Sequence, residues 1–167
     1  ATFSADGSRA FTASGNGYTP ADWSVRAWDA ATGAQLWRYK GPQQLYCVAA
    51  SHDGRLVAAG DANGLVTIHD ASNGDVKTTA SAGAWTYEAH FTPDDREVIF
   101  VGDFDGLRAV NVANGAVREI ATGCSARSIA LTADAKRAFV GSTEYGKPVP
   151  LRVVDLTRGE VVAEGPA

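Results

Sequence analysis

The chain has 167 residues, 45% apolar and 20% charged, with 18 glycines; it lacks the Pro/Ser/Gln-rich tracts of a disordered segment. Its 15 basic and 19 acidic residues give a formal net charge of −4, with neither sign gathered into a run of five, which excludes the clustered basic surface of a non-specific nucleic-acid binder. The longest apolar run is Leu45–Ala50, far short of the roughly 20 residues that cross a bilayer, so neither a nucleic-acid nor a membrane partner is expected. Cys47 and Cys124 are too few for a disulfide framework and lack metal-type spacing. Ala1–Gly7 has no basic or apolar signal segment, and the compartment stays open, leaning to the cytoplasm.

Taken in order, the chain repeats itself, and a period near 40 residues changes the architecture to be considered. The first unit opens on Ala1-Thr2-Phe3, the tail of a strand, and a turn Phe3-Ser4-Ala5-Asp6-Gly7. An insertion around Gly15 to Asp22 follows, with Tyr18 in it and Trp23 just after, and then Trp28-Asp29 with Thr32-Gly33. The second unit has the turn Ala50-Ser51-His52-Asp53-Gly54, strands Leu56–Ala59 and Leu65–Ile68, and His69-Asp70 with Asn73-Gly74. The third has Phe91-Thr92-Pro93-Asp94-Asp95, a strand Val98–Val101, and Val110-Asn111 with Asn114-Gly115. The fourth has Leu131-Thr132-Ala133-Asp134-Ala135, strands Ala138–Val140 and Leu151–Val154, a second insertion around Thr143 to Pro150, and Val154-Asp155 with Arg158-Gly159. Asp29, Asp70, Asn111 and Asp155 lie 41, 41 and 44 residues apart.

No window carries a helical apolar period, and Gly, Asp and Asn punctuate the chain at hairpin spacing. After each of these Asp or Asn residues the chain must reverse, and the glycine four positions on supplies the positive φ that closes the turn. The reading is all β, four strands per unit, in one region 1–167 with units of about 1–45, 46–85, 86–125 and 126–167. Such a sheet exposes two apolar faces and buries them only by stacking on its neighbours around an axis, which is a β-propeller.

The Phe-Ser-x-Asp-Gly turn at 3–7, the Phe-Thr-Pro-Asp turn at 91–94, the pair Trp28-Asp29 and the 41-residue spacing resemble the WD-repeat family, and the resemblance covers essentially the whole chain. It implies a closed ring of seven blades or eight, so four blades read as part of a larger propeller, completed by further blades or by a second copy. The family's Gly-His pair is absent, and with it the expected Asp-His-Ser/Trp network. His69 stands in a tryptophan-like slot, where its role is structural. The stretch Asp29–Tyr39 also looks like a quinoprotein repeat, whose last-strand tryptophan docks neighbouring blades. Lys77, Arg118 and Val162 break that pattern in the other units, and no pyrroloquinoline quinone site is expected.

No nucleophile with its base, no carboxylate pair and no metal spacing among His52, His69 and His90 presents itself. Asp103-Phe-Asp105-Gly106 lacks the acid that would complete a calcium loop, and like Asp61-Ala-Asn63-Gly64 reads as a turn. No catalytic, cofactor or metal residue is therefore expected, and the chain is not read as an enzyme. The resemblance places partner docking on the loops that lead into each first strand. Here these carry Gln44 and Tyr46, Trp85 and Tyr87, Ser125 and Arg127; with Tyr18 and Trp23 of the insertion they supply the Tyr, Trp and Arg typical of binding hot spots. A non-catalytic protein-interaction scaffold or sensor module is the first reading. The alternatives are a propeller enzyme or cofactor domain with its site in the central channel, and an engineered or evolutionary half-propeller that assembles into a closed ring.

Overall fold

In the computed structural model the chain folds as four antiparallel four-stranded sheets; the structure describes residues 1–15, 22–83, 85–102, 106–121, 126–142 and 150–166. Blade 1 holds β1 (Thr2–Phe3), β2 (Arg9–Ser14), β3 (Ser24–Asp29) and β4 (Gln35–Lys40). Blade 2 holds β5 (Leu45–Ala50), β6 (Leu56–Asp61), β7 (Leu65–Asp70) and β8 (Val76–Ser81). Blade 3 holds β9 (Thr86–Phe91), β10 (Glu97–Gly102), β11 (Gly106–Asn111) and β12 (Val117–Ala121). Blade 4 holds β13 (Ala126–Leu131), β14 (Arg137–Ser142), β15 (Arg152–Asp155) and β16 (Glu160–Glu164). Strands pair in chain order in every blade. The first strands β5, β9 and β13 pack against one another along the inner side of the array. The four sheets do not close into a ring, so the propeller is incomplete.

Two turns recur and explain the acids that punctuate the sequence. After the first strand, the hydroxyl of Ser4, Ser51, Thr92 or Thr132 donates to the carboxylate of Asp6, Asp53, Asp94 or Asp134 at 2.6–2.7 Å. The left-handed residue that follows is Gly7 or Gly54 in blades 1 and 2, but Asp95 (φ 55) and Ala135 (φ 49) in blades 3 and 4. After the third strand, Asp29, Asp70, Asn111 and Asp155 accept backbone N–H groups two or three residues on. The N–H of Gly33, Gly74, Gly115 or Gly159 returns to the carbonyl of the same Asp or Asn at 2.8–2.9 Å. These hydrogen bonds hold the Asp29, Asp70 and Asp155 carboxyls below the usual range, neighbouring residue 32, 72 or 158 first. They are turn makers.

The core lies between blades. One cluster joins blades 1 and 2 through Phe11, Val25, Ala27 and Trp37 against Val57, Ala59 and Ala71. A second joins blades 2 and 3 through Ala58, Val66 and Ile68 against Phe91, Val98 and Val110. A third joins blades 3 and 4 through Ile99, Leu107 and Ala109 against Ala138, Val154 and Leu156.

At each junction the outermost strand of one blade also donates to the carbonyl of the residue that follows the turn Asp or Asn of the next, inside that turn. Trp37 Nε1 donates to Ala71 O at 3.0 Å, Thr78 Oγ1 to Val112 O at 2.8 Å, and Arg118 Nη1 to Leu156 O at 3.4 Å. Strand register makes the three donors equivalent, since Trp37 lies opposite Ala27, Thr78 opposite Ile68 and Arg118 opposite Ala109. The counterpart of Trp37 in blade 2 is therefore Thr78 and not Lys77, since both blades carry the same bulge, between Ala27 and Trp28 and between Ile68 and His69.

His69 is fully buried beside Trp37 and Tyr39. Its ring lies 3.0 Å from the Gly74 carbonyl through Nδ1 and 2.8 Å from Thr67 Oγ1 through Nε2. A carbonyl only accepts, so Nδ1 carries the proton and Nε2 accepts from the threonine hydroxyl. Burial pushes the His69 pKa below its ordinary value.

Two outcomes follow for stability. Trp37→Ala is expected to cost about 3–5 kcal/mol through its cavity, whereas Trp37→Phe, which keeps a smaller aromatic ring in the site and leaves Ala71 O bonded to Arg9 Nη1 at 3.0 Å, costs less, about 1–3 kcal/mol; urea unfolding followed by circular dichroism measures both. Because the folded protein holds His69 neutral while the unfolded chain protonates it near pH 6.5, this contribution is complete above that pH and is lost on acidification. The urea midpoint is therefore expected to fall between about pH 7.5 and about pH 5, and by less in His69→Gln.

Candidate functional site

The positions read as docking residues do not stay scattered. Tyr46, Tyr87 and Arg127 are the second residues of β5, β9 and β13, and each is skipped in the strand register. Leu45 pairs with Asp61 and Cys47 with Gly60; Thr86 pairs with Gly102 and Glu88 with Val101; Ala126 pairs with Ser142 and Ser128 with Gly141. Each is thus the extra residue of a β-bulge, a device that takes a side chain out of the alternation of its strand and re-aims it. Repeated at the same place on three adjacent inner strands, the bulge sends three large side chains to one mouth of the array.

There they meet Trp85, the residue before β9. Its ring stacks on Tyr46, with centroids 5.8 Å apart and planes at 29°, and meets Tyr87 edge-on at 6.2 Å and 72°. Tyr46 and Tyr87 lie 5.8 Å apart, and the Arg127 guanidinium sits 4.3 Å from the Tyr87 ring centre. Aromatic pairs of this kind contribute about 0.5–1.5 kcal/mol each beyond their buried area. A triangle with sides near 6 Å leaves no room for a ligand between the rings, so this is a closed platform whose usable surface is its outer face. Trp85 keeps 48% of its surface exposed, and Arg127 beside Tyr87 is exposed as well.

The other candidates lie apart from the platform. Gln44 ties loops together, with its Nε2 3.5 Å from Gly15 O and its carbonyl accepting from Ala62 N at 2.8 Å. Trp23 is partly buried at the start of β3; its carbonyl accepts from Gly41 N, and its indole Nε1 is buried with no partner among the described residues. Beside it, Asp22 takes Arg26 at 2.6 Å and Arg38 at 3.0 Å. Tyr18, Ser125, Cys124 and the Asp103–Asp105 stretch lie outside the described residues. The companion turn at Asp61 is described: Asp61 Oδ1 accepts from Asn63 N and Leu65 N, both at 2.8 Å.

Along the inner strands below the platform runs a groove of about 380 Å³ lined in part by Tyr46, His52, Tyr87, Glu88 and His90. Its one carboxylate is already engaged: Glu88 Oε2 accepts from Ile129 N of the next blade at 2.9 Å, and Oε1 lies 3.0 Å from His90 Nε2. His52 pairs with Asp95 at 2.9 Å, bridging the turns of blades 2 and 3. Cys47 is buried, and burial pushes its thiol up to about 12, so little of it is thiolate near neutral pH. Among the described residues no group of three His, Cys, Asp or Glu side chains could hold a metal ion.

Comparison with known proteins fits this architecture. A family model described as PQQ_2, outer membrane protein assembly factor BamB, matches residues 21–166. The chain belongs to this family. The PQQ_2 match spans all four blades, whereas the quinoprotein-like tryptophan stands in the first alone; the junction donor persists as Thr78 and Arg118. Pyrroloquinoline quinone, a tricarboxylate, calls for clustered cationic groups, whereas the described groove offers the engaged Glu88 and two histidines paired to carboxylates. This groove does not fit that cofactor.

The fold of this PQQ_2 chain is a WD-type β-propeller. It is 31% identical over 108 residues to apoptotic protease-activating factor 1 of Rattus norvegicus, covering 58% of this chain and 8% of that protein. It superimposes on hydrazine synthase of Kuenenia stuttgartiensis with a TM-score of 0.82 at 17% identity. It also superimposes on the β-propeller domain of Myceliophteria thermophila Cps50 (Swd1), with a TM-score of 0.78 at 18% identity. Each superposition covers 98% of this chain, which spans 47% and 53% of those two chains. At these identities both show the fold alone.

Proposed function

We propose that this propeller is a non-catalytic protein-interaction scaffold that holds its partner on the Tyr46–Trp85–Tyr87–Arg127 platform. The observation that carries this reading is the threefold bulge. In β5 a filler of the blade interface needs no bulge, because the paired positions on either side of Tyr46, Leu45 and Cys47, already point into the core. Moving three large side chains out of the strand alternation and roofing them with a half-exposed tryptophan spends apolar area on solvent. Trp, Tyr and Arg held rigidly against one another offer a partner a large contact area at small entropy cost. Gln44 and Trp23 lie apart from this platform, engaged in the protein's own packing, and with Tyr18 they enter the proposal as further docking candidates.

The propeller contributes rigidity: loops on strands covered on both faces present a surface that changes little on binding. The sequence relative is named as an activator of a protease and the family as an assembly factor, both roles exercised on other proteins. No group in the described groove is poised for acid–base or nucleophilic work, which favours binding over a channel-centred enzyme.

The test separates surface from core. Trp85→Ala and the pair Trp85→Ala with Tyr87→Ala are compared with the parent for proteins retained from a lysate of the source cells and for melting temperature. The expected result is loss of the retained partner with a melting shift of only about 2–4 °C for each kcal/mol of lost ring contact. Unchanged retention with a melting temperature lower by tens of degrees would assign the platform to the core.

A further inference from the structure

The turns that follow the first strands differ at one place. Their left-handed position is Gly7 in blade 1, Gly54 in blade 2 and Ala135 in blade 4, but in blade 3 it is Asp95. Its carboxylate crosses to the turn of blade 2. Oδ1 accepts from His52 N at 2.8 Å and lies 2.9 Å from His52 Nδ1, and Oδ2 accepts from Asp53 N at 2.9 Å. Glycine would hold this φ of 55 without strain, so the carboxylate is present at a conformational cost.

Neither neighbouring junction can make this clasp. Between blades 3 and 4 the counterparts of Asp95 and His52 are Ala135, which has no carboxylate, and Pro93, which has no N–H. Between blades 1 and 2 the counterpart of Asp95 is Gly54. The clasp falls at the junction whose inner strands carry the rings. Tyr46 starts β5 and His52 lies just past its end; Trp85 and Tyr87 start β9 and Asp95 lies past its end.

Blade 3 is thus held on blade 2 at three places. The outer anchor is common to all junctions: Thr78 donates to Val112 O as Trp37 and Arg118 do to their carbonyls, and the strand passes close over the turn glycine. A Cβ on Gly74 would lie 2.7 Å from Trp37, on Gly115 2.6 Å from Thr79 O, and on Gly159 against Ile120 O. At the mouth stand the ring stack and Thr86 Oγ1, which donates to Asp61 O at 3.1 Å. The Asp95 clasp is the third anchor, a strand length or roughly 17–20 Å from the mouth. Apolar burial is non-directional and holds two faces together without fixing their angle. Two anchors leave an axis of tilt between the sheets, and the third, at the end of that lever, removes it.

We propose that Asp95 is a positioning residue for the platform: by clasping blade 2 at the far end of the inner strands it fixes the angle between blades 2 and 3, and with it the seating of Trp85 on Tyr46. The purpose of this rigidity rests on the docking role proposed above, while the ring geometry it governs can be measured without a partner.

The measurement is the near-ultraviolet circular dichroism of a protein minus that of the same protein carrying Trp85→Phe, a difference band that requires fixed packing of Trp85. Asp95→Gly gives blade 3 the residue type that blades 1 and 2 carry at this position, so the turn can form without the carboxylate, and the band is expected to fall by about half or more. Asp95→Asn, which tolerates a positive φ and keeps one acceptor oxygen, is expected to lie between Asp95→Gly and the parent. Ser4→Ala removes the hydroxyl bond of the equivalent turn in blade 1 and should leave the band at the parent's intensity. Exchange of the His52 and Asp53 amide hydrogens, followed in the same proteins, is expected to quicken about tenfold or more in Asp95→Gly. The proposal is overturned if Asp95→Gly leaves either the band or those amides as they are in the parent, or if Ser4→Ala weakens the band as much. Neither readout involves a partner, so a platform that binds nothing would count against the docking role alone.

Discussion

A four-stranded sheet of this kind has apolar side chains on both faces, and no blade can bury both by itself. Everything else in the molecule follows from stacking one face against the next. The three apolar clusters all lie between blades, and the largest fully buried side chains, Phe11, Phe100, Ile68 and Ile99, sit in strands flanked by a neighbouring sheet. Stability in such an array is approximately a sum of blade terms and nearest-neighbour terms, and here the neighbour terms have a fixed grammar of apolar face, turn glycine and side-chain donor.

The turns serve that grammar. The Asp or Asn after the third strand folds five residues tightly enough to bring the glycine and the following carbonyl under the preceding blade, and its hydrogen bonds are made within the turn. This is why acidic residues recur at these positions: their carboxylates are engaged in closing the turns. The interblade donors then satisfy carbonyls that stacking would otherwise leave buried and unpaired, a cost of about 1–3 kcal/mol each.

Much of this was legible in the residues and some was not. Asp29, Asp70, Asn111 and Asp155 announced the repeat because a turn closed by glycine at positive φ has few sequence solutions. Tyr46, Tyr87 and Arg127 could be placed at equivalent positions by counting from those turns. What counting missed was the bulge at each, for a bulge is a matter of register between strands; the glycines near the ends of the second strands, Gly60, Gly102 and Gly141, were the available sign. The equivalence of Trp37, Thr78 and Arg118 was also hidden. A ring N–H, a hydroxyl and a guanidinium share no sequence signature, and the carbonyl they seek asks only for a donor at the right distance. Trp85 could be named as a docking candidate from its place before the first strand, but its stacking on Tyr46 from the neighbouring blade is a tertiary fact.

The platform and the junctions are linked through the inner strands, since β5, β9 and β13 carry the bulges at one end and contribute to the interblade cores along their length. The central claim is that the stability of each blade comes from the neighbours that cover it. Native-state hydrogen exchange resolved by residue tests it most directly. Amides of β6, β7, β10 and β11, in blades covered on both faces, should exchange most slowly, with β2, β3, β14 and β15 faster. Equal protection across all four blades, or greater protection in blades 1 and 4, would contradict the account.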